Sequence, residues 1–220
     1  MSEPTTEYAN TPAEPLAAGL AARLLHDLSG PTEAIMSGLQ ILEDPGAEAL
    51  RGEALGLAAD GARRLLGMLT FCRAAYGGGA TAMDGEALGR LARAPFEARR
   101  PNLEWTLSGD RLSATAAQAM LILAQIAADA LAVGGVARAG ARTAEGVTTL
   151  WIDGEGPKAR FLTETLDGLA GRPASEGLTG RWAPPFHMHV NVARAGGTVS
   201  LVQRPGGFRL EVRLPRARGE

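Results

Sequence analysis

The stretch Leu24-Leu25-His26-Asp27-Leu28-Ser29-Gly30-Pro31 decides how this chain is read. Around it Leu16, Leu20, Leu24, Leu28, Ile35, Leu39 and Leu42 recur at spacings of three, four or seven, the apolar stripe of an α-helix. His26 stands two residues from both Leu24 and Leu28, and two steps of about 100° turn it away from that stripe. The imidazole is therefore predicted to face solvent, where it is largely neutral near pH ~7 and offers a free ring nitrogen as nucleophile.

Two neighbours give this position chemical content. The carboxylate of Asp27 is placed to hydrogen-bond one ring nitrogen, fix the tautomer and stabilise the cation formed on attack. Pro31 lies inside the predicted helix, where it removes a backbone donor and crowds the carbonyl of Asp27, at a cost of about 3 kcal/mol in an ordinary helix. A bend beside His26 is the expected consequence. A lone surface histidine is ordinarily only a solvated side chain, and it is these neighbours that single this one out.

The chain has 220 residues, is 45% hydrophobic and 21% charged, and carries a formal net charge of −2. That composition supports a real core and argues against a nucleic-acid binder, which would show a basic excess. Arg90, Arg93, Arg99 and Arg100 gather among acidic residues and read as a solvated face. Cys72 is the only cysteine, so no internal disulfide forms, and its place on an apolar stripe reads as a buried, inert thiol. No basic segment followed by an apolar run opens the sequence, and no stretch approaches about 18 apolar residues, so neither a signal peptide nor a membrane span is expected and the cytoplasm follows by default.

Residues 1–13 are polar and are expected to form a disordered tail. A first helix is predicted from Glu14-Pro15 to about Glu43, ended by the turn Asp44-Pro45-Gly46. A second is predicted over Ala47–Tyr76, with Leu50, Ala54, Leu57, Gly61, Leu65, Met68, Cys72 and Ala75 on one stripe. Its glycines, Gly52, Gly56, Gly61 and Gly67, suggest close helix packing. The short connection makes an antiparallel hairpin over 14–76, and two such hairpins close a four-helix bundle, so a homodimer is expected with both copies of His26 facing outward.

Gly77-Gly78-Gly79 opens a linker over 77–83, and a second domain over 84–220 has an α/β texture. It is predicted to contain a helix over Asp84–Ala98, a strand over Leu103–Leu107 and a buried helix over Ser113–Leu131. There follow paired strands over Val136–Arg142 and Val147–Asp153, a helix over Lys158–Leu169 and a loop over Gly171–Gly180. A helix over Pro184–Ala195 and strands over Thr198–Gln203 and Phe208–Leu214 complete it. His187 and His189 stand two apart on that last helix, do not share a face, and do not make a zinc site.

His26-Asp27-Leu28-Ser29-Gly30-Pro31 resembles the H-box of two-component histidine kinases and phosphotransferases. Pro185 to Pro215, through Ala195-Gly196-Gly197-Thr198-Val199 to Leu214-Pro215, resembles the end of the histidine-kinase ATP-binding domain. The nucleotide motifs of that domain do not follow. Gln125-Ile126-Ala127-Ala128-Asp129-Ala130 lacks the asparagine that coordinates Mg²⁺. Asp153-Gly154-Glu155-Gly156-Pro157 has its glycines out of step with the adenine-reading loop. Gly177-Leu178-Thr179-Gly180 is a vestige of the lid over the phosphates. Such a site cannot offset a magnesium triphosphate, so no useful ATP binding is expected, and Asp129 and Asp153 read as ordinary polar residues.

An H-box hairpin joined to a degenerate ATPase-like domain is similar to the ChpT-type histidine phosphotransferases of alphaproteobacteria. The fold class so implied is α+β: an N-terminal helical hairpin forming a dimeric four-helix bundle, then a degenerate histidine-kinase-like (Bergerat/GHKL) α/β sandwich. The resemblance implies that His26 accepts a phosphoryl group from the receiver aspartate of a hybrid histidine kinase and passes it to the receiver of a response regulator, with Asp27 as its acidic partner. No cofactor is implied for this chain; the receiver supplies Mg²⁺. Helical spacing places Ser29, Gly30, Glu33, Ser37 and Gln40 on the face that would dock the receiver. Gly30 stands where kinases with phosphatase activity often carry Thr or Asn, which argues against that activity. The rival readings are an active ATP-dependent histidine kinase, which labelled ATP alone would label, and a non-catalytic scaffold on the same fold, which would tolerate His26→Ala.

Overall fold

The computed structural model describes residues 13–79, 81–97, 99–109, 111–174 and 180–216. Of the tail expected over 1–13, residues 1–12 lie outside them, as does the lid remnant Gly177-Leu178-Thr179, while Ala13 is the first residue of the first helix. Helix α1 (Ala13–Glu43) runs unbroken through Pro31. A single 3-10 turn at Glu48–Leu50 precedes α2 (Arg51–Tyr76), so the second helix begins later than Ala47. The two lie against each other as a hairpin along most of their length.

Of the four α2 glycines, Gly61 alone sits in a tight helix contact. A Cβ there would come within 2.9 Å of Ile35 Cγ1 and of the Pro31 carbonyl oxygen, whereas Gly52 and Gly56 face open space and Gly67 has only loose neighbours.

Short β1 (Met83–Asp84) leads into α3 (Gly85–Ala92), capped by Asp84, whose side chain accepts from the Ala87 amide at 2.7 Å. The single helix expected over 84–98 is broken at Arg93, and α4 (Ala94–Glu97) restarts with Pro95, which has no amide to continue the ladder. Then come β2 (Asn102–Trp105), β3 (Arg111–Leu112), α5 (Ala114–Ala130) capped by Ser113, β4 (Val136–Ala144) and β5 (Val147–Glu155). Helix α6 covers only Thr163–Leu169. The preceding residues, expected to be helical from Lys158, form a turn and an irregular stretch instead: the Arg160 amide bonds the Ala130 carbonyl, and Phe161 packs edge-on against Phe208. Helix α7 (Ala183–Arg194) and strands β6 (Thr198–Arg204) and β7 (Gly207–Pro215) complete the order.

The main sheet has the order β2-β4-β5-β7-β6; β2 pairs parallel with β4 and the other pairs are antiparallel. Helices α5 and α7 pack on one face, and α5 is buried nearly all round, which its Ala-rich sequence allows. The α+β class expected from sequence is observed, a helical N-terminal region followed by a helix-covered sheet.

The hairpin does not stand apart from the sheet domain. Met68, Phe71, Cys72 and Ala75 of α2 belong to the main core, and Leu24 and Leu28 of α1 pack against it. Leu16 and Leu20 pack on a second cluster, Trp182, Ala183, Phe186 and Val190 of the α7 region. Gly19 permits that approach, since a Cβ would lie 2.7 Å from the Ala183 Cβ. Four of the seven stripe residues are therefore spent within the chain. Leu39, counted on it from spacing, is 43% exposed. Among the described residues no helix is long and apolar enough to cross a membrane.

Candidate functional site

His26 lies on α1 with its side chain 72% exposed, and Asp27, the next residue, has a side chain only 4% exposed. Adjacent helix positions point about 100° apart, so one meets solvent while the other turns toward α5. His26 Nδ1 is nevertheless 3.2 Å from Asp27 Oδ1. With a carboxylate as partner, Nδ1 is the donor and Nε2 keeps its lone pair.

The other oxygen of Asp27 is saturated. Oδ2 accepts from Arg23 Nε at 2.7 Å and from Gln125 Nε2 at 3.0 Å. The orientation of the Gln125 amide follows from its surroundings, because its oxygen accepts from the Tyr76 hydroxyl. Arg23 is buried, one turn before Asp27, and its fork engages Asp129 of α5, Nη1 to Oδ2 at 2.5 Å and Nη2 to Oδ1 at 3.1 Å. Arg99 completes the cluster: its Nη1 lies 2.5 Å from Asp129 Oδ1, close in charge but off the line of a hydrogen bond, and its Nη2 lies 3.9 Å from Asp27 Oδ1. Two carboxylates and two guanidiniums thus neutralise one another at the junction of hairpin and sheet domain.

The electrostatics agree with that pairing. Burial opposes ionisation of Asp129, but the charge and hydrogen bonds of Arg23, with Arg99 and Arg181 beyond, outweigh it and hold the carboxyl below its ordinary range. Burial likewise works against the Arg23 cation, and Asp129 and Asp27 more than restore it. Tyr76, half-buried beside the cluster, is pushed well above the usual phenol range, first by desolvation. It keeps its proton and donates it to the Gln125 carbonyl oxygen.

A cleft of about 330 Å³ opens beside the imidazole, lined by Arg23, His26, Arg99, Asp129, Glu164 and Arg181 among others. Asp129 and Arg99 were expected to be an ordinary polar residue and part of a solvated face; both are instead members of the cluster behind His26. The sequence does hold a signal for this, a Gln and an Asp four residues apart on the otherwise apolar second half of the helix, which places two polar groups on one face.

The residues expected on the docking face, Ser29, Gly30, Glu33, Ser37 and Gln40, are all exposed. Ser29 departs from the rest: its hydroxyl donates to the Leu25 carbonyl at 2.7 Å, and its spacing aligns it with Leu25, Thr32, Met36 and Leu39. His187 is half-buried against Tyr76 and bonded to Asn191, while His189 meets the Leu169 carbonyl at 2.9 Å. Asp153 pairs with Arg209 on the outer face of the sheet. Among the described residues no group of His, Cys, Asp and Glu is arranged to hold a metal ion.

Residues 86–206 match the sequence family described as histidine phosphotransferase C-terminal domain, more than half of the chain. The chain belongs to this family. A bacterial phosphotransferase solved at 1.7 Å shares its fold, with a TM-score of 0.77 at 23% identity over 96% of this chain and 100% of that one. The histidine kinase AdeS of Acinetobacter baumannii is more distant, with a TM-score of 0.46 and 18% identity over 88% of this chain and 98% of that one. The histidine kinase domain of a blue-light activated histidine kinase from Erythrobacter litoralis gives 0.43 and 14% over 85% and 95%. No curated protein matches the sequence. Family membership supports a phosphotransferase role in a phosphorelay, and with it interaction with kinase and response-regulator partners.

Proposed function

We propose that this protein is a phosphorelay intermediate that receives a phosphoryl group on His26 from the receiver aspartate of a hybrid histidine kinase and delivers it to the receiver aspartate of a response regulator, without using ATP. The observation that carries the reading is the exposed imidazole whose Nδ1 is engaged by a buried carboxylate, so that Nε2 faces solvent as nucleophile. In the transfer the Nε2 lone pair forms the N–P bond as the acyl P–O bond breaks, and the electron pair of that bond returns to the receiver carboxylate. The proton on Nδ1 stays between ring and Asp27, which stabilises the resulting cation. The reverse step loads the second receiver. The Mg²⁺ that neutralises the moving group belongs to the receiver, and this chain needs no cofactor.

Independence from ATP has support in the ion pairs of Asp129. It lies in the stretch where the kinase domain carries its Mg²⁺-coordinating asparagine, and here two guanidiniums already occupy it. A magnesium nucleotide would have to displace both.

The hairpin over 14–76 carries the chemistry in this reading, the residues over 84–220 support it, and Gly30, Glu33, Ser37 and Gln40, with Ser29 at the margin, meet the receiver. A homodimer through the hairpin is supported by exposed Leu25, Met36, Leu39, Leu55, Leu66 and Leu69 along its two helices. The cytoplasm is the proposed compartment, since that is where receiver domains are phosphorylated.

The test is a three-protein relay. Phosphorylated hybrid-kinase receiver, freed of ATP, is mixed with this chain and a second receiver. Acid-labile label on this chain that then moves to the second receiver is the expected result. Label from ATP alone would make the protein a kinase, and absence of label from either source would leave the scaffold reading.

A further inference from the structure

The Asp27 carboxylate is held by residues that take no part in the making or breaking of bonds in the relay. Its Oδ2 accepts two donors, Arg23 Nε and Gln125 Nε2. Arg23 is held in turn from the sheet domain by both oxygens of Asp129, and Gln125, itself on α5, is held by the Tyr76 hydroxyl at the end of α2. With Oδ2 filled, Oδ1 is the oxygen left for His26. We propose that Arg23 is a positioning residue of the phosphotransfer reaction: anchored by Asp129 and assisted by Gln125, it fixes the Asp27 carboxylate so that its free oxygen meets the Nδ1–H of His26 and Nε2 is left as the attacking atom. This rests on His26 as phosphoacceptor and adds to it the source of its tautomer.

Geometry gives Arg23 this role rather than a merely structural one. A guanidinium can reach Asp27 through Nε and Asp129 through its fork at once, which a lysine ammonium cannot. A free imidazole prefers its proton on Nε2, the form in which that nitrogen is blocked. The cluster must supply the opposite preference, and the second-layer hydrogen bond on the other ring nitrogen is what sets it. The sheet domain, no longer reading nucleotide, then acts on the reaction through α5.

The experiment uses full-length protein labelled with ¹⁵N-histidine, with two-bond ¹H–¹⁵N correlations recorded at about pH 8, where imidazole is neutral. His26→Gln assigns the signal. In the wild type His26 is expected as the Nδ1–H form. In Arg23→Lys and Asp129→Asn, which keep bulk at each site, it is expected to move toward Nε2–H. The rate of transfer from a phosphorylated receiver should fall about ten- to a hundredfold in both, with little change in the receiver concentration needed for half-saturation. Wild-type His26 in the Nε2–H form overturns the proposal without any variant having to fold. An unchanged tautomer and rate in folded Arg23→Lys overturns it too. If His26→Gln still accepts phosphate, it is the phosphoacceptor assignment that fails, a result separable from both.

Discussion

Asp27 has four polar neighbours, His26, Arg23, Gln125 and Arg99, and they constrain what a substitution there can do. In Asp27→Asn the amide oxygen must face the two donors Arg23 and Gln125, which turns the amide N–H₂ toward His26. Nδ1 then accepts, and the ring proton moves to Nε2. Transfer from a phosphorylated receiver should fall by about a hundredfold or more, read by rapid quench, while the circular dichroism spectrum is retained. Cys72 lies close behind, its thiol pushed up to about 12 by burial and then by the Asp27 charge. The unfolded thiol ionises near pH ~8.5 and the folded one stays protonated, so its contribution to stability is full below that value and is lost as pH rises toward the folded value. Thermal unfolding should show a midpoint that declines above pH ~8.5, less steeply in Cys72→Ala, and Cys72 should resist maleimide while the protein is folded. At this scale the sequence disclosed what local period controls. His26 is exposed because it lies off the stripe, and Asp27 is adjacent by covalent necessity. Arg23 and Asp129 are 106 residues apart, and nothing local brings them together.

The hairpin is held by close backbone approach as much as by leucines. Gly61→Ala places a methyl against Ile35 and the Pro31 carbonyl and should destabilise the fold by about 1–3 kcal/mol. Gly56 meets nothing and shares its face with the Asp60–Arg63 ion pair, so Gly56→Ala should stabilise by about 0.5–1 kcal/mol through helix propensity. Urea unfolding of the two variants checks both signs. Elements with a strong period, α1, α5 and the β4–β5 and β6–β7 hairpins, were legible nearly to their ends. The misread ones have two separate causes. At Pro95 and over 158–162 the composition tolerates a helix, but a missing amide in one case and tertiary contacts to Ala130 and Phe208 in the other decide otherwise.

The whole molecule joins the helical hairpin to a sheet domain through a shared apolar core and, beside it, a neutral cluster of four charges. Removing one partner from a buried ion cluster costs about 3–5 kcal/mol, so Arg23→Met should lower the unfolding free energy by an amount near the bottom of that range, since Arg99 still neutralises Asp129. The leucine stripe read from sequence was taken to face a second hairpin, but Leu16, Leu20, Leu24 and Leu28 are used inside the chain. If two copies pair, they do so through Met36, Leu39, Leu55, Leu66 and Leu69. Sedimentation velocity should then find a dimer that Met36→Glu with Leu66→Glu converts to monomer. That distinction was beyond the sequence, because periodicity marks an apolar face without naming its partner.

The central claim is that His26 itself carries the phosphoryl group. Single-turnover mixing with a phosphorylated receiver in the absence of ATP, followed by fragmentation mass spectrometry under neutral conditions, tests it directly. The account predicts one phosphohistidine per chain at His26 and none in His26→Gln. Phosphate on another residue, or on the His26→Gln protein, would contradict it.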